Sequence, residues 1–156
     1  PRPPRATLFP YTTLFRSVIE RFYKLHREDA QVMDRWFSVQ SISPSISVTG
    51  IRELMSHKLF TMKNPNRIRS VFGAFTQNHI QFHCQEGYQL MTEVIIKLDA
   101  LNPQIAARFA SVFNHWRRFT SHYSKLQEAE LKTISEVGNL SNDVYEIVHI
   151  ALEGKT

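Results

Sequence analysis

Gln104 and Arg108 are the polar side chains whose spacing best suits a binding role. They lie four positions apart, so on a helix they face the same way. Asn102 is predicted to cap that helix, and Pro103 fits its first position because the missing N–H would be unpaired there. On the helix the pair flanks an apolar stripe, where polar groups either line a crevice or reach into water. Spacing alone favours the second interpretation, since long charged side chains usually lie on solvated faces.

His79, His83, Cys84 and Glu86 have the outline of a metal site on one helical turn. The order His-Glu-x-x-His, in which the glutamate serves as a general base, is absent. Glu86 and Gly87 indicate that the helix ends at that point. We therefore predict no metal site, and instead an exposed histidine pair beside a buried Cys84.

Other chemistries find less support. Cys84 lacks any recognisable signature of a nucleophile with its base. Residues 116–119 interleave aromatic and basic side chains that could stack on nucleic-acid bases, but a helix that packs its rings and solvates its charges is the simpler interpretation. None of the five glycines forms a G-x-G arrangement, so a phosphate-binding loop is excluded.

Residues 1–17 resemble the in-frame translation of a sequencing adapter, most clearly in the stretch 7–17, and we predict that they are not native. The alternative is a natural proline-rich arm. The segment carries Arg2, Arg5 and Arg16 and thereby contributes three of the five net positive charges. The remaining 16 basic and 14 acidic residues are nearly balanced, which argues against a nucleic-acid-binding protein.

The native part is then residues 18–156, long enough for one domain with a hydrophobic core. Cys84 is the only cysteine, which excludes an internal disulfide and suits a reducing, cytoplasmic setting. No apolar run approaches the roughly 20 residues that span a bilayer, so we predict no membrane segment.

The elements that must position these side chains are predicted to be helices throughout. Apolar residues recur at helical spacing, as in Ile68, Val71, Phe72 and Phe75, and sustained strand-like alternation is absent. Short joints rich in Asn, Pro, Ser and Gly separate about seven or eight helices. Short joints imply antiparallel neighbours, and spacing leaves a bundle and a solenoid of helix pairs equally open.

Three stretches carry a resemblance to a known family: Asn64–Phe75, Asn102–Arg108 and Leu140–Val148. Together they resemble the C-terminal domain of bacterial alanyl aminopeptidase, in the aminopeptidase N family of zinc exopeptidases. The resemblance implies an all-α fold, an α-solenoid of HEAT-like antiparallel helix pairs. It also implies a parent enzyme that removes N-terminal amino acids from peptides with the help of zinc.

In such an enzyme, the resemblance implies that the solenoid closes over the catalytic domain and walls a substrate chamber. Arg69, Gln104 and Arg108 match chamber residues and are the implied substrate-binding set. A guanidinium suits this role because its planar donors grip a carboxylate at two points. The zinc-binding His-Glu-x-x-His motif is absent from this chain, so we expect no catalytic residue, no bound zinc and no activity in the chain alone.

The partners implied are the catalytic domain of the parent enzyme and peptide substrates, without nucleic acid or membrane. A second hypothesis remains open, in which the chain is a free-standing helical-repeat scaffold that binds a partner protein along its concave face.

Overall fold

A computed structural model describes the backbone of residues 8–154 and the side chains of residues 13–154. This part of the chain forms nine α-helices, one π-helical turn and two 3-10 turns, with no strand. Our helix count of seven or eight was slightly low because the described residues also include two single-turn helices. The helices are α1 Leu8–His26, α2 Ala30–Ser41, α3 Val48–Met55, α4 Pro65–Ile68, α5 His79–Phe82, α6 Gln85–Asp99, α7 Pro103–Ala110, α8 Ser121–Ser135 and α9 Asn142–Glu153, with the π-helical turn at Arg69–Gly73 and the 3-10 turns at Ser111–Phe113 and Trp116–Arg118.

Side-chain caps begin most of these helices. The Asn64 side-chain oxygen accepts from the backbone N–H groups of Asn66 and Arg67, and Asn102 accepts from Ile105 N at 3.2 Å. Proline follows each of these asparagines at the first helical position. Ser141 likewise accepts from the third backbone N–H of α9. The predicted cap at Asn102 is therefore confirmed.

Helix α6 lies at the centre of the domain, and apolar residues on most of its surface are buried against other helices. Tyr88, Leu90, Val94, Ile95 and Leu98 have no exposed surface. The helix packs against α3, α5, α7 and α8, while α9 covers α7 and α8. At the other end, α2 packs against α1 and against the π-helical turn. The architecture is an all-α helical solenoid, which confirms the predicted fold class.

The joint before α6 lies earlier than the sequence suggested. Our expectation that a helix ends at Glu86 and Gly87 was wrong, since both residues lie in the first turn of α6. Cys84 occupies the N-cap position, and Gly87 allows α6 to approach the end of α5 closely. A Cβ atom at Gly87 would lie 2.3 Å from the carbonyl oxygen of Phe82, so only glycine fits this contact.

Helix α1 attaches to the rest of the domain along a narrow strip. Ile19 and Tyr23 contact the core, and the Trp36 indole N–H donates to the Ile19 carbonyl at 3.0 Å. The outward face carries large apolar residues, with Leu14 61% and Leu25 68% exposed, beside charged ones such as Arg21 and Lys24. The helix begins at Leu8 and thus includes ten residues of the segment predicted to be non-native. Within residues 8–154, none of the helices combines the length and the apolar character that crossing a membrane requires.

Candidate functional site

A groove of about 570 Å³ runs between the end of α2, the π-helical turn and α7. Its size lies within the usual range of small-ligand sites. The lining residues come from three parts of the chain: Ser38, Val39 and Ile42 from α2 and its C-cap; Arg69, Gly73, Ala74, Thr76 and Gln77 from the π-helical turn and the segment after it; and Ile105, Arg108, Phe109 and Val112 from α7 and the turn that follows. Two of the three predicted substrate-binding residues, Arg69 and Arg108, thus line one groove.

Arg69 opens the π-helical turn and is exposed to solvent. Its Nη1 donates to the Asn66 side-chain oxygen over a long 3.4 Å contact. The Ser70 hydroxyl donates to the Asn66 carbonyl at 2.7 Å, which holds the start of the turn. Gly73 follows near Arg69, and a Cβ atom there would meet nothing nearer than the Arg69 Cβ at 4.0 Å. The turn therefore leaves space beside Arg69 rather than filling it.

Arg108 projects from α7, whose inner face is anchored by the buried Ile105 and Phe109. The Arg108 side chain is exposed and makes no ion pair or hydrogen bond with any other side chain that the structure describes. Gln104 is also exposed, one turn earlier, but it does not line the groove. The structure therefore brings Arg69 and Arg108 together and leaves Gln104 outside the groove.

The groove combines two guanidinium groups with apolar walls. Among residues 13–154, no acidic side chain lines it. Guanidinium groups stay charged at all physiological pH values and bind carboxylates or phosphates through paired N–H donors. The arrangement can therefore bind an anionic ligand that also carries apolar surface.

Arg67 is a charged residue whose importance the sequence did not reveal. Unlike Arg69, it is only 5% exposed, and its guanidinium carbon lies 4.8 Å from the centroid of the Phe37 ring. Its Nη1 is 3.1 Å from Oδ1 of Asp34 on α2, an ion pair whose atoms are not aligned for a hydrogen bond. The pair ties α4 to α2, two residues before Arg69. One signal was available: Arg67 precedes the buried Val71 by one helical turn and so shares its inward face.

His83 packs against Tyr88, whereas His79 is exposed, so the expectation of an exposed pair holds for His79 and is wrong for the half-buried His83. The rings of His79 and His83 are parallel with centroids 5.8 Å apart, and His83 Nδ1 lies 2.8 Å from the Tyr88 hydroxyl oxygen. Burial and the neighbouring His79 lower the pKa of His83. Burial is also the main reason that the pKa of Tyr88 is raised to about 12.

Cys84 is half-buried rather than buried, a correction to our expectation. Its thiol donates to the Gln81 carbonyl and accepts from Gly87 N, both at 3.3 Å, so the sulfur serves as a helix cap. Burial raises the pKa of the thiol, the opposite of the change that activates a nucleophile. The part of the chain that the structure describes contains no group of three His, Cys, Asp or Glu side chains able to hold a metal ion.

The aromatic and basic cluster at residues 116–119 closes the end of α9. Arg117 Nη1 donates to the Ala151 carbonyl at 2.6 Å, and its Nη2 donates to the Leu152 carbonyl at 2.5 Å. The buried Trp116 donates its indole N–H to the same Ala151 oxygen, and the Arg117 guanidinium lies over the Trp116 ring. A cation at a helix C-terminus also complements the helix dipole. These two side chains are therefore engaged in packing.

Comparisons with known proteins agree with this architecture. Residues 10–153 match a family model described as "Domain of unknown function (DUF3458_C) ARM repeats". The chain belongs to this family. The DUF3458_C match covers nearly all of the described helices, and its ARM repeats agree with the helical solenoid.

Curated relatives of this DUF3458_C domain are bacterial aminopeptidases. The chain is 37% identical over 136 residues to aminopeptidase N of Haemophilus influenzae, covering 85% of this chain and 16% of that protein. It is 37% identical over 129 residues to aminopeptidase N of Escherichia coli, covering 80% of this chain and 15% of that protein. The predicted resemblance to aminopeptidase N is confirmed, and the chain spans about one sixth of the length of these relatives.

A solved structure of Legionella pneumophila aminopeptidase A in complex with aspartic acid has the same fold. Its TM-score is 0.82 and its sequence identity 30%, over 87% of this chain and 16% of that one. The DUF3458_C solenoid is therefore shared with one part of a much longer aminopeptidase.

Proposed function

We propose that this chain is the C-terminal helical domain of a zinc-dependent aminopeptidase that removes N-terminal amino acids from peptides. In this proposal the domain walls the substrate chamber and contacts the peptide through Arg69 and Arg108. The observation that carries it is the single groove lined by both guanidinium groups and by no acidic side chain of residues 13–154. The relationship to two curated aminopeptidase N proteins supports the same assignment.

Arg69 and Arg108 would bind the carboxylate at the far end of a peptide whose N-terminal residue lies at the catalytic centre. A salt-bridged carboxylate fixes the peptide along the chamber and adds binding energy that a single-residue substrate cannot use. Removing such a contact raises KM more than it lowers kcat, since the interaction is present in both the ground state and the transition state. Gln104, one turn from Arg108 and exposed, would contact longer peptides outside the groove.

The catalytic zinc would belong to the catalytic domain of the parent enzyme. That catalytic domain would be the partner that this helical domain contacts, in the cytoplasm. No His-Glu-x-x-His sequence occurs in the chain, and the described residues offer no set of side chains that fits a metal ion. Zinc would supply the activation of water and the polarisation of the scissile carbonyl. The purified 156-residue chain should therefore release no amino acid from alanyl substrates, and zinc-dependent turnover would contradict this assignment.

The test uses the intact enzyme that contains this domain. Arg108→Ala should raise KM for an alanyl tripeptide roughly tenfold, the order expected for a lost charge-assisted contact. KM for alanyl p-nitroanilide, which has no distal carboxylate, should stay within about twofold. Arg118→Ala, an exposed arginine outside the groove, is the matched control and should change neither value. Equal losses for both substrates would count against a carboxylate-binding role.

The coding sequence upstream of Val18 distinguishes this proposal from the free-standing scaffold hypothesis. We propose that residues 1–17 are not native, and long-read resequencing across the codon for Val18 tests that directly. Finding a coding sequence for His-Glu-x-x-His and a distal glutamate upstream in the same frame would support the aminopeptidase. A start codon near Val18 would instead favour a scaffold that binds a partner protein.

A further inference from the structure

We infer that the groove selects peptides whose carboxyl-terminal residue is apolar. In this inference, Val39 and Ile42 contact the side chain of that residue and so favour apolar over polar ones. This inference rests on the proposed function, because it names the class of peptide that the arginine-lined groove binds.

Val39 and Ile42 are unusual because they are large apolar side chains left open to solvent in the groove itself. They are 48% and 45% exposed, and both line the groove together with Arg69 and Arg108. Exposed apolar residues scattered singly need no explanation, but two in one groove beside binding groups suggest a contact with a ligand. They lie at the end of α2, across the groove from α7.

The apolar lining of the groove continues from these exposed residues to buried ones. Ile105 and Phe109 line the same groove and are only 7% and 6% exposed. A side chain that enters between α2 and α7 would therefore meet apolar surface on both sides. Burial of that surface would favour binding in proportion to the area removed from water.

Charge restricts the occupant further. The groove carries two guanidinium groups, and its other polar lining groups, including Ser38, Thr76 and Gln77, are neutral. The groove therefore complements an occupant that combines negative charge with apolar surface. The terminal residue of a peptide has both, because its carboxylate and its side chain leave the same Cα atom. A peptide ending in leucine thus complements the groove better than one ending in serine or in an amide.

Gly73 supplies the space that such a residue needs. A Cβ atom at this position would touch only the Arg69 Cβ at 4.0 Å, so the groove beside Arg69 is open at the backbone. Leucine at position 73 would occupy that space. Gly138, where a Cβ atom has no neighbour within 4 Å and which lies outside the groove, provides the matched glycine control.

The experiment is isothermal titration calorimetry of the 156-residue chain with acetyl-Gly-Gly-Leu, acetyl-Gly-Gly-Ser and acetyl-Gly-Gly-Leu-amide. The leucine acid should bind on the order of fivefold more tightly than the serine acid. The difference in affinity between the leucine acid and the leucine amide should be larger still. Ile42→Ser should weaken the preference for leucine over serine. Ile80→Ser, at a residue 69% exposed and outside the groove, should preserve it. Gly73→Leu should weaken binding of both acids, whereas Gly138→Leu should not.

The outcomes separate the inference from the proposed function. Equal binding of the leucine and serine acids, with weaker binding of the amide, would overturn the apolar preference and leave the carboxylate role intact. Equal binding of the leucine acid and its amide would overturn both. The comparison of the three peptides on the unchanged chain needs no variant, and far-UV circular dichroism establishes that each variant retains the helical fold before it is titrated.

Discussion

Replacing Arg67 by alanine should destabilise the domain far more than replacing Arg52, although each arginine forms one ion pair. Arg67 pairs with Asp34 at 3.1 Å, and the two side chains are 6% and 22% exposed. Arg52 pairs with Glu93 at 2.7 Å, with side chains 47% and 45% exposed. The shorter contact is therefore the more solvated one. Burial, rather than distance, should decide the cost of each substitution.

The magnitude follows from what each substitution leaves behind. Removing one partner of a buried ion pair typically costs about 3–5 kcal/mol, because the other charge remains buried without compensation. Water reaches part of the Asp34 side chain, which lowers this figure, while the lost contact between the Arg67 guanidinium and the Phe37 ring adds to it. We expect about 3 kcal/mol for Arg67→Ala. An exposed pair contributes about 0.5 kcal/mol, which is the expectation for Arg52→Ala.

The assay is thermal and urea denaturation followed by circular dichroism. In a domain of this size each kcal/mol shifts Tm by about 2–4 °C, so Arg67→Ala should lower it by roughly 6–12 °C and Arg52→Ala by about 1–2 °C. Replacing both members of the buried pair by apolar residues, as in Arg67→Met with Asp34→Leu, should recover most of the loss. Equal effects of the two single arginine substitutions would refute the reasoning from burial.

Three further predictions concern single contacts. Gly87→Ala should lower the free energy of unfolding by about 2 kcal/mol or more because its Cβ atom would clash with a backbone carbonyl, whereas Gly138→Ala should be neutral or slightly stabilising; urea denaturation of both variants measures this. Arg117→Ala should cost about 1–2 kcal/mol through loss of two hydrogen bonds to the end of α9, and normal stability of this variant would contradict the capping role. Burial, reinforced by nearby cations, lowers the pKa of His57. The unfolded chain therefore binds a proton more readily at this residue, so the free energy of unfolding should fall as pH falls through about 6.5 towards the folded-state pKa. The free energy of unfolding of His57→Gln should depend less on pH, and an unchanged dependence would exclude His57 as its origin.

The sequence predicted those features that depend on local chemistry. Asn64 and Asn102 each precede a proline, and both cap a helix because a short side chain at that position reaches the free backbone N–H groups of the first turn. The helical spacing of apolar residues likewise predicted an all-α domain. These signals act within a few residues, so they need no knowledge of the tertiary fold.

The sequence did not predict features that depend on which elements meet. Arg67 and Arg69 are two positions apart and chemically identical, yet one is buried against α2 and the other faces the groove. Glu86 and Gly87 suggested the end of a helix because glycine is a common stop signal, whereas Gly87 allows two helices to approach. The role of Arg117 depends on the carbonyl groups of Ala151 and Leu152 at the end of α9, more than 30 residues further along the chain. Long-range contacts of this kind leave no local pattern.

The central claim is that Arg69 and Arg108 act together on one carboxylate. The most direct measurement is an NMR titration of the 15N-labelled chain with acetyl-Gly-Gly-Leu, following the side-chain Nε–H signals of its arginines. The account predicts saturable shifts of the Arg69 and Arg108 signals with one common Kd, little change at the buried Arg67, and no comparable shifts with the peptide amide. Shifts confined to other arginines, or equal shifts with the acid and the amide, would contradict it.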